Sequence, residues 1–201
     1  MDRKDLLLLT PGPLTTPVEV RQAMAKDWGS RDSAFIAMNA RVRDGLLKIA
    51  GGVGTHQAVL MQGSGTFSVE AMIGTMVPRT GKLLVLVNGA YGRRIVRMCQ
   101  YLGRAHAVLE WPEDRPVDPT AVDYLLAEDE HISHVVVIHC ETTSGIVNPV
   151  EAVGEVVKAR GRRLLVDAMS GFGALPLDAN KPGYDALAAS SNKCLEGAPG
   201  F

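Results

Sequence analysis

Two ionisable side chains near the end of the chain carry most of the chemistry this sequence can offer. Asp167 closes the apolar run Leu164-Leu165-Val166. Lys193 lies in Ser190-Ser191-Asn192-Lys193, just past a second short apolar run, Ala186-Leu187-Ala188-Ala189. A carboxylate at a buried strand end is costly unless it finds a cationic or hydrogen-bonding partner, so Asp167 calls for one. A lysine amine beside such an acid suits pyridoxal phosphate, whose aldehyde bonds the amine and whose protonated ring nitrogen pairs with the acid. The plain readings of the same residues are an acid capping the next turn and a solvated lysine.

Other loops supply what such a ligand needs. Gly63-Ser64-Gly65-Thr66 lies between the apolar run Ala58-Val59-Leu60-Met61 and a helical pattern. Glycines let the backbone approach a phosphate, a helix start offers free N–H groups, and two hydroxyls add donors. The same residues fit a capped helix with no ligand equally well. There is no P-loop lysine and no full GxGxxG pattern, which weighs against a nucleotide. Tyr91 offers a flat ring, and Thr142, after a predicted strand, a hydroxyl that could bond a phenolic oxygen. The five histidines lack metal-ligand spacing and no metal site is expected; Cys140 and Cys194 are given no nucleophilic role.

The elements that must position these residues follow from the hydrophobic pattern. A helix is predicted from Pro17 to about Trp28, and a second, capped by Ser33, up to Gly51-Gly52. Strands are predicted at 58–61, 83–87, 105–110, 135–138 and 164–166. Helices follow from the GSGT loop to Val77, from the loop Asn88–Gly92 to about Leu102, over 119–129, and over 150–160. Continuous apolar strands alternating with helices imply an α/β fold, a mostly parallel sheet with helices on both faces and right-handed crossovers. Ligands in such sheets bind beyond the carboxyl ends of the strands, where these polar loops converge.

With 201 residues, 46% hydrophobic and 21% charged, the chain can bury a real core. A net charge of -1 gives no case for nucleic acid or an acidic membrane surface. No run approaches a membrane span, and three cysteines without CxxC spacing fit a reducing cytoplasm. The chain ends at Gly200-Phe201 after a Gly/Pro turn, where another strand could start. The expectation is therefore the N-terminal part of a longer protein, cut before its final strand.

The segments LLLLTPGPLTTP, DWGSRDSAF, LMQGSGTFSVEAMIGT, LVLVNGAYGRRI, HCETTSGIVNP, LLVDAMSGFGALPLD and SSNKCLEGAPGF run through the chain in order. On them the chain resembles the fold-type I pyridoxal-phosphate aminotransferases, in the branch with the alanine–glyoxylate and serine–pyruvate enzymes. GSRD, NGAYGRR and SSNKCLEG are similar more narrowly to members that act on 2-aminoethylphosphonate and pyruvate. The resemblance implies Lys193 as the cofactor-bonding lysine and Asp167 as partner of the ring nitrogen. It implies Ser64, Gly65 and Thr66 on the phosphate, with Asn192 within reach of it. Tyr91 would stack on the ring and Thr142 bond its hydroxyl.

The resemblance further implies a segment 1–30, a cofactor-binding large domain over 31–201, and a small C-terminal domain supplying a substrate arginine that this chain lacks. It implies a homodimer and a transamination in phosphonate catabolism. Arg31, Arg93 and Arg94 are candidate phosphonate donors, each equally readable as a surface arginine. The rivals are a related alanine- or serine-using aminotransferase and a non-catalytic phosphate-binding α/β module. A desulfurase-like lyase would want histidines where Tyr91 and Asn192 stand.

Overall fold

The computed structural model describes residues 7–200; the first six residues of the expected segment 1–30, and Phe201, lie outside the described residues. In chain order the elements are α1 (Val18–Met24), α2 (Ser33–Ile49), α3 (Gly65–Met76), β1 (Lys82–Val87), α4 (Ala90–Tyr101) and β2 (Ala105–Glu110). They continue with α5 (Pro119–Glu128), β3 (Ile132–Ile138), α6 (Val150–Ala159), β4 (Arg163–Asp167) and β5 (Ala186–Ala188).

The five strands form one wholly parallel sheet in the order β2-β1-β3-β4-β5. Chain direction explains where the helices go. The step from β1 to β2 runs one way along the sheet, and the later steps to β3 and β4 run the other. With right-handed crossovers, α4 must then lie on the opposite face from α5 and α6. The core divides accordingly. Leu84, Leu86, Val135, Val137, Leu164 and Val166 point to α5 and α6. Leu83, Val85, Val87, Val136, Ile138 and Leu165 point to α3 and α4. Alternate residues of one strand thus serve two cores, which is why these strands are apolar without a break.

Four expectations need correction. Ala58–Met61 joins no strand among the described residues, and Val59 and Leu60 are exposed. An apolar run makes a strand only where it finds a neighbour to pair with, and this one finds none among the described residues. β2 is a half-covered edge strand rather than a doubly buried one. The first helix stops at Met24, short of Trp28. Ser33 is the first residue of α2, and Asp32 holds the cap position. Asp32 gives no capping bond, because its Oδ2 accepts the Gly29 N–H at 2.9 Å. Neither α1 nor α2 contains a buried residue.

Candidate active site

Asp167 is placed by the sheet register. It is the last residue of β4, flanked by Ile138 of β3 and Ala188 of β5. Its carbonyl accepts the His139 N–H, and the Ala168 N–H reaches back to the Ala188 carbonyl, so the strand end is fixed on both sides. The residue is 5% exposed. Of its carboxylate, Oδ1 accepts the Met169 N–H at 3.0 Å; no other donor reaches it among the described residues. Burial pushes the carboxyl up to about 6, with the Glu141 charge adding to the rise. The Met169 N–H, Arg94 and Lys193 pull the other way.

Asp167 borders a cavity of about 350 Å³ that Ser64, Gly65, Thr66, Tyr91, Asn192 and Lys193 also line. Seven of the eight sequence-predicted residues thus meet in one place. Thr142 does not: it sits half-buried in the turn after β3 and is not among the lining residues. The volume lies in the range of small-molecule sites.

Each lining residue has a local cause. Ser64 caps α3, its Oγ accepting the Phe67 N–H at 3.2 Å. The first amides of a helix have no acceptor inside it, so those of Gly65 and Thr66 are available at the cavity edge. A Cβ at Gly65 would lie 2.6 Å from Met169 Sδ and would push that side chain aside. Tyr91 is the second residue of α4, not a loop residue as expected; its helix starts at Ala90. Asn192 Oδ1 accepts the Ser190 hydroxyl. Lys193 reaches across to the N-terminal segment, Nζ donating to the Pro11 carbonyl at 3.4 Å.

Two features, Gly12 and Glu141, were not singled out from the sequence, and of the three candidate arginines the structure separates one from the others. Gly12 lines the cavity at φ +138°, and a Cβ there would stand 2.8 Å from Lys193 Cδ. The signal was present in Pro11-Gly12-Pro13, though nothing in it names Lys193 as the neighbour. Arg94 lines the cavity, whereas Arg93 points away to Glu110 and Glu113. Arg31 is exposed and is not among the lining residues. Glu141, in the turn after β3, is fully buried. Its carboxylate accepts the N–H groups of Tyr91 and Gly92 at 3.4 Å each, the Thr143 N–H at 3.3 Å and the Thr143 hydroxyl at 3.0 Å. It lies where the sheet order reverses between β1 and β3, and it anchors the start of α4.

A buried acid lacking a cation, an amine within the same cavity and a helix start bare of side-chain bulk are what pyridoxal phosphate requires, so the residues present fit that group. Comparison with known proteins points the same way. Residues 29–201 match the aminotransferase class-V family. Over 195 residues the chain is 57% identical to a 2-aminoethylphosphonate–pyruvate transaminase of Pseudomonas aeruginosa and 55% identical to one of Pseudomonas putida. In both cases 97% of this chain and 53% of the relative are covered. The chain therefore spans about half the length of the curated relatives it matches. Among solved structures it is similar to an alanine–glyoxylate aminotransferase from Nostoc sp. (TM-score 0.90, 28% identity, 100% of this chain and 53% of that one). It is also similar to a pyridoxamine–pyruvate aminotransferase from Mesorhizobium loti (TM-score 0.88, 28% identity, 97% and 50%). The chain belongs to the class-V aminotransferase family.

Proposed function

We propose that this chain provides the cofactor-binding part of a pyridoxal-phosphate-dependent aminotransferase that moves the amino group of 2-aminoethylphosphonate to pyruvate, giving phosphonoacetaldehyde and L-alanine. The observation that carries it is the convergence of Asp167, Lys193 and the Ser64-Gly65-Thr66 helix start on one cavity, in a chain 55–57% identical to transaminases so named.

When bound, pyridoxal phosphate supplies a carbonyl carbon for amine exchange and a ring able to take up an electron pair. The residues of the chain do the rest. Lys193 Nζ would hold the aldehyde and, when free, would carry a proton to and from the amine-bearing carbon in the same cavity. Asp167, held in an apolar strand end, keeps the ring nitrogen's proton in place. Burial raises its pKa, so its ionised form is favoured when a cation stands beside it. Ser64, Gly65 and Thr66 hold the phosphate at the start of α3. Tyr91 packs against the ring, and Asn192 reaches the phosphate. Thr142 bonds the ring hydroxyl only if its turn shifts toward the cavity.

The working unit we propose is a homodimer with sites completed by both subunits. Support comes from α1 and α2, which contain no fully buried residue, and from exposed Ile36, Val42, Ile49 and Val59. A large domain over 31–201 with a separate N-terminal segment is part of the same proposal. Cytoplasmic residence is supported by the three free cysteines, and no helix among the described residues is long and apolar enough to cross a membrane.

The test uses the full-length protein loaded with pyridoxal phosphate. Addition of 2-aminoethylphosphonate without pyruvate is expected to convert the visible absorbance to that of the amine form of the cofactor, and pyruvate is expected to restore it. Conversion by L-alanine or L-serine but not by the phosphonate would keep the cofactor and overturn the substrate.

A further inference from the structure

Arg94 is a cation lining the candidate site. Arg93, its neighbour in sequence, is tied to Glu110 and Glu113; Arg160 pairs with Asp123, and Arg163 with Asp185. Among the described residues Arg94 forms no ion pair. Successive helical residues point about 100° apart, so one step along α4 separates a surface arginine from a cavity arginine.

Two contacts fix the guanidinium. Its Nη1 donates to Thr66 Oγ1 at 3.1 Å, and its central carbon lies 4.6 Å from the centre of the Tyr91 ring. A threonine hydroxyl has one hydrogen and two lone pairs, whereas arginine only donates. The bond from Arg94 therefore occupies a lone pair and leaves the Thr66 hydrogen free for an acceptor in the cavity. Stacking on the tyrosine face holds the guanidinium plane and the ring together. The Coulombic pull of Arg94 on Asp167 is a second sign that its charge is felt inside the cavity.

We propose that Arg94 is a positioning residue for a phosphate monoester: it turns the Thr66 hydroxyl toward the ligand's phosphate and braces Tyr91, so that the cavity prefers a phosphorylated ligand to its unphosphorylated form. This rests on the pyridoxal-phosphate reading of the site. An acceptor-rich dianion answers an uncompensated guanidinium and an outward-turned hydroxyl together; a neutral alcohol at the same place answers neither.

The test compares pyridoxal phosphate with pyridoxal in the full-length protein, by absorbance titration checked by equilibrium dialysis. The variants are Arg94→Ala, Arg94→Lys, Thr66→Ala and the Thr66→Ala/Arg94→Ala pair, each matched to wild type by circular dichroism. Arg94→Ala is expected to weaken pyridoxal phosphate by about tenfold or more and pyridoxal, which shares only the ring that Tyr91 packs against, much less. Arg94→Lys, which keeps charge without the planar fork, falls between. The double variant loses less than the product of the single losses, because both act on one contact. Equal losses for the two ligands would make Arg94 a structural residue and overturn the proposal. So would undiminished phosphate preference, or strictly multiplicative losses. If Arg94→Ala does not fold, the ratio of the two affinities in Arg94→Lys decides by the same criterion. Wild-type protein that binds neither ligand would remove the cofactor reading itself, an outcome distinct from a bound cofactor that ignores Arg94.

Discussion

Glu141 and Asp167 are both buried acids at the carboxyl end of the sheet, one just past β3 and the other closing β4. Their surroundings differ. Glu141 gathers three backbone N–H groups and a hydroxyl, and the start of α4 is fastened to it. Asp167 has one N–H and an oxygen left over at the edge of a cavity. The first arrangement is complete without a ligand. The second leaves a carboxylate whose ionisation the fold opposes until a cation arrives. A buried acid well supplied with donors is part of the scaffold; one poorly supplied, beside an amine and a bare helix start, marks where a ligand belongs.

The largest effect should come from the satisfied acid. Glu141→Ala strands the Tyr91, Gly92 and Thr143 amides, and a loss of about 3 kcal/mol or more is expected in chemical denaturation. A loss no larger than that of a surface substitution would break the comparison. Asp167 should behave in the opposite sense. Its folded pKa of about 6 lies above the ordinary 3.8, so its contribution to stability is full below about pH 4 and is lost as pH rises through 6. Cofactor-free Asp167→Asn is therefore expected to be more stable than wild type at pH 8, by roughly 3 kcal/mol for a rise from 3.8 to about 6. Melting curves across pH should show that advantage vanish below pH 4.

A smaller effect is expected at the strap over Lys193. Gly12→Ala places a Cβ against the lysine stem at φ +138°. It should cost about 1–2 kcal/mol, and slow the trapping of pyridoxal on Lys193 by borohydride relative to wild type. The smallest belongs to Arg93→Ala, whose partners Glu110 and Glu113 are exposed. Its denaturation midpoint should match wild type, as for other solvent-screened pairs.

Much of the sheet was legible because its strands serve two cores. Leu83 to Val87 and Val135 to Ile138 are apolar at every position, and little else in a globular chain is. The run at 58–61 is equally apolar but has no pairing partner among the described residues, and pairing is a property of the neighbour rather than of the run. Asp167 and Lys193 could be read because an acid after an apolar strand and a lysine after the next are each unusual, and parallel register brings their loops together. Glu141 could not be, since Glu-Thr-Thr-Ser-Gly reads as an exposed turn until α4 is seen to start on it. The division of labour between Arg93 and Arg94 is likewise invisible in a sequence of two adjacent arginines. It appears only when the helix sets one toward Glu110 and the other toward Thr66.

The most direct test of the Asp167–Lys193 pair as a cofactor site is chemical capture. Full-length protein loaded with pyridoxal phosphate would be reduced with borohydride, digested and mapped by mass spectrometry. A single pyridoxyl label on Lys193, strongly diminished in Asp167→Ala, is the expected result. Label spread over exposed lysines such as Lys26 and Lys158, or none at all, would contradict it.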